Sequence, residues 1–78
     1  MSDSTKSASP APISSASDFG RMIRARRKTL GLTQEDVAMQ SGMSLPTVSA
    51  IENGKETARL GLVLQICRDL GLRIMIEI

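Results

Sequence analysis

Histidine, tryptophan and tyrosine are absent from the 78 residues, and cysteine and phenylalanine occur once each. Each absence closes off a chemistry. Without histidine the usual general base is missing, and no carboxylate pair, nucleophile–base set or phosphate loop takes its place, so neither an enzyme nor a cofactor is expected. The single cysteine, Cys67, cannot form an intramolecular disulfide, and there is no second cysteine or histidine to complete a metal site. A reducing, cytoplasmic setting is expected, with Cys67 inert on the apolar side of a helix. The longest strongly apolar run without a charge, Leu60 to Cys67, is far short of the roughly 20 residues that a membrane helix needs, and no signal peptide pattern opens the chain. No membrane partner is expected. One small domain fits this length, with a core that is marginal unless oligomerisation adds burial.

A net charge of +2 does not by itself imply a polyanionic partner. The placement is uneven, however: Arg21, Arg24, Arg26, Arg27 and Lys28 are five of the ten basic residues. A solvated helix face is the plain reading of such a run. Residues 1–16 are dominated by serine, alanine and proline and lack the apolar surface to offset the entropy of ordering, so a disordered tail is expected. Lys6 is its one basic residue, too little for a minor-groove arm.

Gly31, Gly42, Gly54 and Gly71 each follow a helix-like stretch and divide the remainder, residues 17–71, into four helices. The first is predicted to open with Ser17 as N-cap and Asp18 in its first turn, and to turn Phe19, Met22, Ile23 and Leu30 inward. The second starts at Thr33, with Asp36 completing a capping-box pattern and Val37 and Ala38 buried. For the third, Ser44 is the predicted cap, Pro46 lies in the first turn, and Val48 and Ile51 form the buried pair. The fourth, about Arg59 to Leu70, carries a stripe of Leu60, Val63, Leu64, Cys67 and Leu70. Leu62 and Ile66 fall off that stripe, which implies a second covered face. Met22, Met39, Met43 and Met75 read as core filling.

Residues 72–78 alternate without exception. Leu72, Ile74, Ile76 and Ile78 share one side, while Arg73, Met75 and Glu77 share the other. No other stretch reads as a strand, and a lone strand leaves its backbone groups unpaired. The same strand of a second copy is the expected partner, laying its isoleucines near Leu62 and Ile66 in a two-fold homodimer.

Thr33 to Asn53 has the spacing of a helix-turn-helix, in which a glycine turn lets two helices cross at roughly 90–120° so that the second can enter the DNA major groove. The small, polar first turn of the third helix and the basic helix before it strengthen that reading. The string Leu30-Gly31-Leu32-Thr33-Gln34-Glu35-Asp36-Val37-Ala38, followed by Ser44 through Lys55, resembles the Xre-type helix-turn-helix of phage repressors and bacterial antitoxins. The resemblance spans about Ser17 to Leu70, and the strand after Gly71 brings it closer to the HipB-like antitoxins. It implies an all-α, four- to five-helix, lambda-repressor-like domain with one C-terminal β-strand paired across a homodimer. It also implies a repressor of its own operon on a two-fold symmetric double-stranded DNA operator, with a HipA-like Ser/Thr kinase toxin as a further partner. A free-standing regulator and a protein-interaction adaptor are the alternatives.

Carried over by position, the resemblance assigns Gln34 to a backbone phosphate, aided by the helix N-terminus. Thr33 stands beside it as the cap, and Arg26 is taken as a DNA contact from the basic helix. Ser44, Thr47, Asn53 and Lys55 match phosphate-contacting or orienting positions, and Leu45, Pro46, Ser49 and Ala50 match positions facing base edges. The phage repressors place amide side chains at several of these points, whereas Leu, Pro and Ala can only touch thymine methyls. Shape, water and Ser49 are therefore expected to carry more of the specificity. Arg27 and Glu52 match a pair that is salt-bridged in the phage repressors.

Overall fold

The computed structural model describes residues 10–78, and the part of the expected tail at residues 1–9 lies outside the described residues. Four helices follow: α1 (Ala16–Thr29), α2 (Gln34–Ser41), α3 (Leu45–Glu52) and α4 (Leu60–Asp69). Local chemistry sets most of their ends. Thr33 Oγ1 accepts from the Asp36 amide at 3.0 Å while Asp36 accepts from the Thr33 amide at 2.8 Å, a reciprocal capping box. Ser44 caps α3 by accepting from Thr47 N, and Pro46 occupies its first turn. Gly31, Gly42, Gly54 and Gly71 all take positive φ, so each ends its helix in the left-handed conformation expected of it.

The start of α1 differs from the expectation. Its cap is Ser15 rather than Ser17: Ser15 Oγ accepts from Asp18 N at 3.1 Å, and Asp18 accepts from the Ser14 amide at 2.8 Å and from the Ser14 hydroxyl. Starting there puts Asp18 three residues after the cap, where its carboxylate can reach back over the free amides. The Ser14 amide and hydroxyl hold that carboxyl below its usual range.

Ile23, Val37, Ala38, Val48, Ile51, Val63, Ile66, Cys67 and Leu70 form the core, with Phe19, Leu32, Met43, Ala58, Leu62 and Leu72 packed at its edge. Helix α3 packs on α1 and α2, and α4 on α2 and α1. In α4 and its C-cap the buried residues are Val63, Ile66, Cys67 and Leu70, the complete i, i+3, i+4, i+7 set of one face. This corrects the predicted stripe: Ile66 belongs to the chain's own core and not to a second covered face, whereas Leu60 is 62% exposed. Leu30, the expected last apolar residue of α1, is its exposed C-cap. Met22 and Met43 are half-buried, but Met39 and Met75 lie in solvent and fill no core.

No strand occurs among the described residues. Residues 72–78 run on from α4 with Leu72 half-buried and Ile74, Met75, Ile76 and Ile78 exposed. A strand needs a neighbouring backbone, and a single chain offers this segment none.

Helices α1 and α3 approach each other closely through Gly20. A Cβ there would meet the backbone carbonyls of Glu52 and Ile51, the latter at 2.6 Å. Backbone cannot swing aside as a side-chain end can. Gly20→Ala is therefore expected to destabilise the fold by about 1–3 kcal/mol despite alanine's better helix propensity. Gly61→Ala, where nothing lies within 4 Å, is expected to be neutral or stabilising by up to about 1 kcal/mol. Urea unfolding followed by circular dichroism checks both, and equal midpoints for the two variants would contradict the close approach.

Candidate nucleic-acid interface

Three side chains of α3 face inward, Val48, Ile51 and Glu52, and helical geometry then sets the remainder. Pro46, Ser49, Ala50 and Asn53 lie on the outward side with Leu45 and Thr47 at its flanks. Leu45, Pro46 and Asn53 are exposed, and Thr47, Ser49 and Ala50 are half-buried. The helix therefore presents a low ridge of small side chains that a groove can approach closely.

Its two ends are fixed differently. At the N-terminus Ser44 Oγ and Thr47 Oγ1 lie 2.8 Å apart, Ser44 caps the helix by accepting from Thr47 N, and Pro46 has no amide hydrogen to leave unpaired. At the C-terminus Glu52 is held by a charged cluster. Arg27 Nε donates to Glu52 Oε2 at 2.6 Å and Arg27 Nη2 to Oε1 at 3.0 Å, the bidentate fork that a guanidinium makes with a carboxylate. Arg27 Nη1 donates to the Leu32 carbonyl at 2.8 Å, and Gln34 Nε2 donates to Glu52 Oε1 at 3.0 Å. The cluster thus joins α1, the α1–α2 turn, α2 and α3. Among the described residues no buried side-chain N or O atom is left without a partner.

The charges within the cluster support one another. Burial pushes the Glu52 carboxyl up, but hydrogen bonds from Arg27 and Gln34 and the positive charges of Arg27 and Arg24 outweigh it and hold it below its ordinary value. Its hydrogen bonds to Glu52, with the Glu52 charge, raise Arg27 against the opposing effect of burial. Gln34 keeps one amide hydrogen free, so binding Glu52 does not prevent it from donating to a phosphate.

The basic run on α1 is less available than its density suggests. Arg21 pairs with Asp18, Arg27 with Glu52, and Arg26 Nε donates to the Leu70 carbonyl at 2.8 Å. Arg26, expected as a DNA contact, is held through its Nε to the C-terminus of α4. Its side chain is drawn there by the carbonyls that every helix end leaves without an intrahelical partner. Thr33 and Lys55 remain exposed beside α3. Two neighbours escaped the sequence reading: Thr57 and Arg59 line a shallow groove with Pro46, Thr47, Ala50 and Leu62. Nothing in the residue spacing shows that the loop after Asn53 returns alongside α3. Cys67 is buried, and burial pushes its thiol up, away from the reactive thiolate.

Comparisons with known proteins agree with this geometry. The helix-turn-helix family HTH_3 matches residues 23–75. The HTH-type transcriptional regulator y4mF of Sinorhizobium fredii is 38% identical over 62 residues, covering 80% of this chain and 82% of its own. An HTH-type transcriptional regulator of Methanothermobacter thermautotrophicus is 44% identical over 50 residues, 64% of this chain and 72% of its own. Among solved structures, a HipB variant in complex with the O2 20mer superposes with a TM-score of 0.81 at 25% identity, covering 88% of this chain and 96% of that one. The restriction-modification controller protein C.AhdI of Aeromonas hydrophila gives 0.66 at 29% identity, over 74% and 88% of the two chains.

Removing the acid of the buried pair would strand Arg27 without a counter-charge, so Glu52→Ala is expected to lose about 3–5 kcal/mol of stability. Because the folded Glu52 carboxyl titrates below its ordinary 4.5, its contribution is complete at neutral pH and disappears as pH falls through the lowered folded value. Glu52→Gln should therefore show a shallower loss of stability between pH 6 and pH 3 than the natural chain. Urea midpoints measured across that range check it, and parallel curves would remove Glu52 from the account of acid sensitivity.

Proposed function

Because the chain belongs to the helix-turn-helix family HTH_3, as an Xre-type DNA-binding regulator similar to HipB, we propose that it is a homodimeric transcriptional repressor that reads a two-fold symmetric operator. The observation that carries this reading is the small-residue outward face of α3, locked at its C-terminus by Arg27, Gln34 and Glu52. That arrangement presents α3 to the major groove while the N-terminus of α2, with Gln34, meets the backbone. Ser44, Thr47, Asn53 and Lys55 contact or orient phosphates, joined by Thr57 and Arg59 from the loop beyond α3. Leu45, Pro46, Ser49 and Ala50 face the bases. Only Ser49 among these four can hydrogen-bond a base edge through its side chain, so one copy discriminates weakly.

Two copies remedy that weakness. The exposed Ile74, Ile76 and Ile78, with Leu72 at their root, suit an antiparallel strand pair across a two-fold axis, with half-buried Leu62 on the flank. Ile66 is omitted from that interface because it already fills the core. Half-sites are then about one helical turn, ~34–36 Å, apart.

The likeness to HipB over 88% of the chain favours a further reading, in which this regulator also serves as the antitoxin of a HipA-like kinase. Affinity purification of the tagged chain from its own host, followed by mass spectrometry, tests the antitoxin reading. Recovery of a kinase supports it, and repeated absence of one leaves the free-standing regulator.

Ile74→Asp with Ile76→Asp alters residues that are exposed in the single chain, so each protomer should fold normally while the mass from light scattering halves. DNA affinity should fall with it. A double variant that stayed dimeric would contradict the strand pairing. Lys55→Ala should reduce the salt slope of binding by about 0.9, the contribution of one phosphate contact. A gel-shift series across salt concentrations reads that slope.

A further inference from the structure

Arg26 and Arg27 are neighbours on the last turn of α1, and their side chains go to opposite working parts of the molecule. Arg27 holds Glu52, the last residue of α3. Arg26 holds the carbonyl of Leu70, the C-cap of α4 and the point from which the C-terminal segment departs. One helical turn therefore carries both the anchor of the recognition helix and the anchor of the segment assigned above to dimerisation.

The Leu70 end is built as a fixed root. Leu70 is 2% exposed, Gly71 turns the chain at φ 76, and Leu72 N returns a hydrogen bond to the Cys67 carbonyl at 2.8 Å. The half-buried Leu72 then packs against the core. Arg26 lies close over this turn, since a Cβ added at Gly71 would come within 3.2 Å of its Nη2. Past Leu72 the isoleucines are in solvent and have no such ties among the described residues. The direction in which they leave is set by the turn that Arg26 grips.

We propose that Arg26 is a positioning residue that sets half-site spacing, by clamping the root of the C-terminal segment to the same helical turn that anchors α3. The proposal rests on the dimeric reading above. In a two-fold dimer joined through the C-terminal segments, any swing at the root is doubled between the two recognition helices, because both copies move. With the clamp in place, one separation is presented to DNA. Without it, several separations become accessible at similar cost, while each α3 keeps its own geometry through Arg27 and Glu52.

The experiment is selection from a pool of randomised duplex DNA, run with the natural chain, Arg26→Ala and Arg26→Lys, followed by gel shifts over a salt series on the recovered sequences. The natural chain should recover paired half-sites at one spacing. Arg26→Ala should recover the same half-site sequence at two or more spacings, with an unchanged salt slope. Arg26→Lys, whose ammonium can still donate to the Leu70 carbonyl, should restore a single spacing; Arg26→Met, which keeps an apolar stem but has no donor, replaces the alanine variant if that one does not fold and should likewise recover two or more spacings. A single, unchanged spacing in Arg26→Ala would overturn the proposal. So would a salt slope reduced by about 1, which would mark Arg26 as a phosphate contact. Recovery of only unpaired half-sites by the natural chain would overturn the dimeric reading itself, a different result from either of these.

Discussion

The buried fork between Arg27 and Glu52 is the interaction on which the remaining geometry depends. A carboxylate and a guanidinium taken out of water cost far more than an exposed pair returns, unless the geometry is good and the remaining donors are used. Here they are used: Leu32 accepts the third guanidinium hydrogen bond, and Gln34 supplies a second donor to the carboxylate. The result is a rigid joint in a domain too small to rely on apolar burial alone. It fixes α3 relative to α1 and α2 at the end where α3 would otherwise be free to tilt. The close approach at Gly20 acts at the same junction, where the carbonyls of Ile51 and Glu52 sit against α1 without an intervening side chain.

That rigidity bears on recognition. Side chains as short as Ser49 and Ala50 cannot compensate for a misplaced helix by stretching toward a base, so α3 itself must be held where the groove requires it. The small outward residues and the charged joint behind them are two sides of one arrangement. In the proposed dimer the same logic extends to the second copy, since weak readout per half-site becomes discriminating only if two half-sites are read at a fixed distance. Arg26 and Arg27 place both requirements on a single turn of α1.

Capping chemistry and periodicity made most of the fold legible. Thr33 with Asp36, Ser44 with Pro46, and the four glycines marked helix ends because they satisfy or terminate backbone groups locally. Periodicity was less dependable where apolar residues were abundant. In α4, five leucine, valine or cysteine positions fit one stripe, yet packing selected a face rotated toward Ile66 and left Leu60 outside. Ser15 displaced Ser17 because Asp18 had to stand at the third position from its cap. In both places two registers are locally acceptable; for α4 packing distant in sequence chooses between them, and for α1 the bonds that Asp18 makes with Ser14 and Ser15 do.

The sequence by itself determined the helix-turn-helix, its boundaries and the small residues on its outward face, because helix propensity, capping and turn conformation act over a few residues. Only the tertiary structure decided what the charges do. Arg21, Arg26 and Arg27 belong to one basic run, yet they are tied to Asp18, the Leu70 carbonyl and Glu52 in turn. A guanidinium goes to whichever acceptor the folded chain brings within reach, and for Arg26 that acceptor is 44 residues away.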